Sequence, residues 1–134
     1  MARILIIEDS RSQAAIMDEI VRNAGHEPIL CEDISRGVAN LVTSHQPDIV
    51  LLDLILLGPD GKPRADGFQV CREIKRLPGT TIKVVVVSAQ NDDDATEWAL
   101  MQGADAFLRK PFAMEDLVNT INHVLTNPDG ANNP

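Results

Sequence analysis

Ile49-Val50-Leu51-Leu52-Asp53-Leu54 is an apolar run interrupted by one carboxylate, and the breaker pair Pro47-Asp48 precedes it. β-Branched residues in an unbroken hydrophobic stretch describe a central strand of a parallel sheet that is covered on both faces. Asp53 then stands at the carboxyl end of that strand, the edge at which open α/β sheets gather ligands and chemistry. A second run, Ile4-Leu5-Ile6-Ile7, ends in Glu8-Asp9. Parallel strands bring these three carboxylates to one edge, where a cation is the natural occupant.

Working outward, strand-like and helix-like stretches alternate without an internal repeat, which is the pattern of βαβ units. Ser10 and Gln13 have capping-box spacing and open a helix whose inner face carries Ile16, Met17, Ile20, Val21 and Ala24, stopped by Gly25. A short strand at 28–31 leads to a helix over 35–45 with Val38, Leu41 and Val42 inward, ended by Pro47. The stretch from Ile55 to Gly67 holds Gly58, Pro59, Asp60, Gly61, Pro63 and Asp66 and reads as a long loop. Phe68, Cys71, Ile74 and Leu77 recur at helical spacing before Pro78-Gly79. The run Val84-Val85-Val86-Val87 marks a fourth strand over 82–87, closed by Ser88. A fourth helix starts near Asn91, with Asp92, Asp93 and Asp94 in its first turn, and ends at Gly103. A fifth strand covers 106–109, Lys110-Pro111 breaks it, and a fifth helix buries Leu117, Val118, Ile121, Val124 and Leu125. A polar tail, 127–134, is expected to be mobile.

Composition limits the function. With 134 residues and 44% hydrophobic content the chain suits one domain with an adequate core. A net charge of −8, with 12 basic residues and no dense basic run, argues against a nucleic-acid surface. No apolar stretch reaches bilayer length and no signal-peptide pattern precedes the first strand, so a cytoplasmic protein without membrane association is expected. Cys31 and Cys71 lack metal-site spacing and read as buried reduced thiols. His26, His45 and His123 are scattered and read as solvated or packed side chains.

The strand ends thus deliver Glu8, Asp9, Asp53, Ser88 and Lys110 to one edge, and with this set the chain resembles the receiver domain of two-component response regulators, in the manner of single-domain chemotaxis regulators. The motifs are an acidic pair after strand one, an Asp after strand three, a Ser or Thr after strand four and Lys-Pro after strand five, at separations similar to the family's. The resemblance covers residues 2–126. It implies a flavodoxin-like, doubly wound α/β domain over 1–126, with a five-stranded parallel sheet in order 2-1-3-4-5 flanked by five helices.

Carboxylates crowded together raise one another's pKa unless a cation joins them, and Mg²⁺ is satisfied by a few carboxylates, water and a phosphoryl oxygen. By resemblance, Asp9, Asp53 and the Ile55 carbonyl ligate Mg²⁺, while Glu8 acts mainly through water. Asp53 accepts the phosphoryl group as a carboxylate nucleophile. Lys110 and Ser88 meet the phosphoryl oxygens by charge and hydroxyl. Ser88 and Phe107 form the switch, and the bond at Pro111 is expected to be cis. The implied phosphodonor is a histidine kinase or a histidine phosphotransfer protein. The implied output is binding to a downstream protein through helix four, strand five and helix five. The domain itself catalyses only its own aspartyl phosphorylation and dephosphorylation.

The chain departs from the family after Asp53. Leu57 stands where receivers commonly place proline, and two Asp-Gly pairs compete for one role. Asp66-Gly67 abuts the third helix and is the preferred match, with about six residues inserted before it. The insertion reads equally as a solvated decoration or as a functional element beside the site. Trp98 suits core packing or a partner contact. A haloacid-dehalogenase-like phosphatase wants a second Asp where Ile55 stands, and Glu8-Asp9 would repel the phosphate of an FMN binder. A degenerate receiver used as a scaffold, or a receiver cut from a larger regulator, are the remaining alternatives.

Overall fold

Along a strand, successive side chains face opposite sides of the sheet, so a strand that is apolar at every position needs helices on both sides. Three strands of this chain carry such a run, at Ile4–Ile7, Ile49–Leu52 and Val84–Val87. The computed structural model describes residues 2–8, 10–31, 37–53, 55–57, 63–77, 81–88, 99–101 and 103–126, with main chain alone at 55–57 and 63–68. In chain order the elements are β1 (Arg3–Ile7), α1 (Arg11–Asn23), β2 (Glu27–Cys31), α2 (Val38–His45), β3 (Ile49–Asp53), β4 (Ile55–Leu57), β5 (Pro63–Asp66), α3 (Gly67–Lys75), β6 (Lys83–Ser88), α4 (described at 99–101), β7 (Ala106–Arg109) and α5 (Met114–Thr126).

Five strands build one sheet in the order β2-β1-β3-β6-β7, every neighbouring pair parallel. Counted along that sheet this is the 2-1-3-4-5 order of a doubly wound fold. Leu5, Ile7, Val50, Leu52, Val84 and Val86 face Val38 and Val42 of α2 and Val70, Cys71 and Ile74 of α3. The alternate residues Ile4, Ile6, Ile49, Leu51, Val85 and Val87 face Met17, Ile20 and Val21 of α1 and Leu117, Ile121 and Val124 of α5. Each side chain of this size, once fully buried, contributes about 1.5 to 3 kcal/mol. The central strands are therefore held rigidly from both sides, and their carboxyl ends form a fixed platform.

The opposite edge is locked by side chains. Asp105 Oδ2 accepts the Val84 amide at 2.8 Å and the Lys75 ammonium at 2.9 Å, while Lys75 also donates to the Ile82 carbonyl at 3.0 Å. This ties α3, the start of β6 and the approach to β7 together. Gly103, at φ 100, lies so close to Lys75 that an added Cβ would stand 3.0 Å from Lys75 Cγ. Asp105→Ala should lower stability by about 2 to 4 kcal/mol, because a partly buried ammonium and a strand amide lose their acceptor together. Urea unfolding checks this, and an unchanged midpoint would mean that water replaces the carboxylate at no cost.

Several boundaries and faces differ from the sequence-based expectation. The stretch expected as a loop after Asp53 holds an antiparallel hairpin, with β4 pairing Ile55 to Asp66 and Leu56 to Ala65. Its breakers cluster between the strands, and Pro63 stands at a strand start, where the missing amide is tolerated. α3 begins at Gly67 directly after Asp66, and α2 begins at Val38 with Gly37 before it. Ser10 caps α1 by accepting the Gln13 amide, and Gly25 follows the helix at φ 90. Ile16, expected inside, is 53% exposed, while Ala14 is buried in its place. Leu125 is likewise exposed, one step beyond the buried row Leu117, Ile121 and Val124. Both residues flank the apolar stripe, where pattern alone does not fix the last position. Cys31 and Cys71 are buried, reduced thiols, and burial pushes the Cys71 thiol up to about 11. Asp9, Ser35, Asp60, Gly61, Trp98, the start of the fourth helix and 127–134 lie outside the described residues.

Candidate functional site at the carboxyl edge of the sheet

Register decides which side chains meet. Ile7 pairs with Leu52 in the β1–β3 ladder, so the next residues, Glu8 and Asp53, emerge abreast. Asp53 pairs with Val87, one residue before Ser88 at the end of β6. Ser88 pairs with Arg109, and the Lys110 amide donates to the Ser88 carbonyl at 2.8 Å, which carries the β6–β7 ladder one residue further. The Lys110–Pro111 peptide bond is cis. Three strand ends thus present an acid, a second acid and a hydroxyl, and the fourth presents a lysine.

The lysine reaches back across this edge. Its Nζ lies 2.8 Å from Glu8 Oε1 and 3.5 Å from Asp53 Oδ2. Glu8 is 2% exposed and Ser88 is 1% exposed, so neither is an ordinary solvated strand end. Glu8 Oε2 is buried and lacks a hydrogen-bond partner among the described residues. Burial above all, and then the neighbouring Asp53 carboxylate, push the Glu8 carboxyl up to about 8, against the opposing pull of Lys110. One ammonium therefore serves two acids, and the edge is short of positive charge. Hard oxygen donors with such a deficit, one of them a buried atom without a partner, fit a divalent cation. Among the described residues no group of three metal-ligating side chains forms, and Asp9 is outside them.

The remaining site candidates are placed around this pair. Phe107 is half-buried on β7, abreast of Val86, and packs against the core on the α2 and α3 side. Ile55 opens β4 two residues beyond Asp53. Lys110, Pro111 and Phe112 form, with Gln13 and Ile16 of α1, a cleft of about 330 Å³ beside the site, which accounts for the outward position of Ile16. His26 Nδ1 accepts the Ala2 amide at 3.0 Å, and burial lowers its pKa, so this histidine is a neutral packing element. Sequence reasoning missed the Glu8–Lys110 ion pair. The one available signal was the extra methylene of Glu at the first acidic position, which extends reach across the edge.

Fold and edge together define a flavodoxin-like α/β domain carrying an acid and ammonium cluster at the carboxyl ends of its strands. Residues 4–122 match the response regulator receiver domain family. The chain is 34% identical over 126 residues to protein PilH of Pseudomonas aeruginosa, covering 93% of this chain and 98% of that protein. It is 33% identical to the response regulator MprA of Mycolicibacterium vanbaalenii over 95% of this chain, yet it spans only 52% of that longer protein. Among solved structures, the signal receiver domain of a DNA-binding response regulator from Colwellia psychrerythraea superposes with a TM-score of 0.79 at 28% identity, covering 92% of this chain and 98% of that one. NtrX from Brucella abortus gives 0.83 at 26% identity, over 96% of this chain and 28% of its own. The chain belongs to the response regulator receiver domains of two-component systems.

Proposed function

We propose that Asp53 is the phosphoacceptor of a signalling switch, loaded by a histidine kinase or a histidine phosphotransfer protein. The observation that carries this reading is the Lys110 ammonium shared between Glu8 and Asp53 at the sheet edge. It supports a site made to gather negative charge and then to receive more. In the proposed step an Asp53 carboxylate oxygen forms a bond to phosphorus while the bond from phosphorus to the donor nitrogen breaks with its electron pair left on that nitrogen, and a donor ring that is protonated at its other nitrogen leaves as a neutral imidazole. Lys110 and the Ser88 hydroxyl then meet the phosphoryl oxygens. Asp9, Asp53 and the Ile55 carbonyl are the residues we assign to Mg²⁺, with Glu8 acting mainly through water. When bound, Mg²⁺ supplies the neutralisation that lets an anionic donor approach anionic side chains.

On this reading Ser88 and Phe107 relay the modification, and α4, β7 and α5 bind a downstream protein. Leu100 and Met101 of α4 and Met114 of α5 are exposed apolar side chains on those elements, which supports a partner surface. Residues 1–126 form the receiver unit and 127–134 a tail. No described helix is long and apolar enough to cross a membrane, and a cytoplasmic setting accords with a kinase donor.

Acetyl phosphate tests the proposal. Intact mass should rise by one phosphoryl group with Mg²⁺ and stay unchanged in EDTA. Multiple turnover of phosphomonoesters would make the protein a phosphatase, and no modification under either condition would make it a scaffold.

A further inference from the structure

At the other end of β1, remote from the acid and lysine cluster, the turn that enters β2 holds Ala2 from two sides. His26 Nδ1 accepts the Ala2 amide at 3.0 Å, and the Ala2 carbonyl accepts the Glu27 amide at 2.9 Å. Ala2 is 6% exposed and belongs to the core on the α1 and α5 side, so its amide reaches water only if this corner of the core opens. An imidazole nitrogen accepts a hydrogen bond only while it carries no proton. We propose that His26 is a proton-operated latch. Neutral, it pins the start of β1 to the turn before β2. Protonated, it releases both, and the amino end of the β1–β2 pair opens while the rest of the sheet stays formed.

Three features carry the latch. With Nδ1 accepting, the ring proton sits on Nε2, and a second proton goes to Nδ1, where it points at the Ala2 N–H. Two donors then face each other at a partly buried position, and a core amide is left without an acceptor. β2 is an edge strand with β1 as its one neighbour in the sheet, so its entry relies on bonds to β1. Gly25, at φ 90 and with nothing within 4 Å of an added Cβ, gives the turn freedom and space to swing. The charged groups on the surrounding elements are engaged with one another. On α1, Arg22 pairs with Asp18 at 3.2 Å. Arg3 of β1 reaches Glu27 of β2 at 3.8 Å and donates to the carbonyl of His45, the last residue of α2, at 3.1 Å. Asp48, just ahead of β3, accepts the Arg3 amide at 2.8 Å. Burial, and then the positive charge of the amino terminus, lower the His26 pKa from its ordinary 6.5. The opened turn therefore takes a proton at the ordinary value and the closed turn only at lower pH. The contribution of the latch is complete above 6.5 and is lost as pH falls from there through the lowered value.

The test is ¹H–¹⁵N NMR on the full chain, with Met1 retained as checked by intact mass, between about pH 7.5 and about pH 5. At the upper end His26 Nδ1 should be unprotonated. The ring and the Ala2 amide should titrate together, with a midpoint below 6.5. Protection of the Ala2 and Glu27 amides, corrected for intrinsic exchange, should fall about fivefold or more across the range, while Val85 and Val86 keep theirs. His26→Asn places an acceptor oxygen close to the position of Nδ1 and does not titrate, so it should retain protection at both ends of the range. His26→Ala should show the low protection at both ends. A ring protonated on Nδ1 at the upper pH, or one that titrates without moving the Ala2 amide, overturns the proposal. The same fall in His26→Asn would assign the effect to another group, such as His45, and overturns it too. Equal loss of protection at Val85 and Val86 would mean global unfolding and no local latch. If His26→Asn does not fold, the paired titration of ring and Ala2 amide in wild type decides alone.

Discussion

Asp53→Asn is expected to take up no phosphoryl group from acetyl phosphate in the presence of Mg²⁺, a loss on the order of a thousandfold or more in the rate of modification. The amide is nearly isosteric with the carboxylate but is a very poor nucleophile, and it removes one of the two charges that face Lys110. The fold should persist, because Glu8 keeps its 2.8 Å contact with the ammonium and the core strands on both sides of position 53 are untouched. Time-resolved intact mass spectrometry of wild type and variant provides the comparison. Uptake by the variant at the wild-type rate would place the acceptor on another residue and remove the main role assigned to this edge.

The second large effect concerns pH in the cation-free protein. Burial and the Asp53 carboxylate push Glu8 up to about 8 from an ordinary value of 4.5. Between those two values the folded protein binds more protons at this position than the unfolded chain. Stability therefore falls as pH rises through that window. The penalty is absent below 4.5 and complete above about 8. Each unit of displacement corresponds to about 1.4 kcal/mol, so the full effect is on the order of a few kcal/mol. Glu8→Gln removes the titrating group and keeps the shape. Urea unfolding in EDTA should show wild type losing stability relative to Glu8→Gln between pH 5 and pH 8, with the curves parallel at lower pH. Parallel curves across the whole range would mean that Lys110 fully neutralises Glu8.

Period and strand-end chemistry made the sheet legible. Val84 to Val87 and Ile49 to Leu52 are apolar at every position, and only a strand with helices on both faces accommodates that. The order β2-β1-β3-β6-β7 accompanied the family resemblance, since periodicity does not order strands. The hairpin of β4 and β5 was not legible. Its strands are short, their pairing is set by main-chain hydrogen bonds, and the Gly and Pro between them read as one irregular block. Side-chain direction at the rim of a helix was also hidden, as Ile16 shows by facing the cleft beside Lys110 instead of the core. At the site, residue types marked Glu8, Asp53, Ser88 and Lys110 for one edge. Which acid holds the lysine depends on one methylene and on burial, and neither follows from spacing.

The central claim is that a phosphoryl group is carried as an acyl phosphate on Asp53. Borohydride reduces an acyl phosphate on aspartate to homoserine and leaves phosphoesters of serine and threonine intact, so the residue that carried the group is marked permanently. Wild-type protein treated with acetyl phosphate and Mg²⁺, reduced, digested and sequenced by mass spectrometry should contain homoserine at position 53 and aspartate there when EDTA replaces Mg²⁺. Homoserine at another aspartate, or a reduction-resistant phosphoester with position 53 unaltered, would contradict the account.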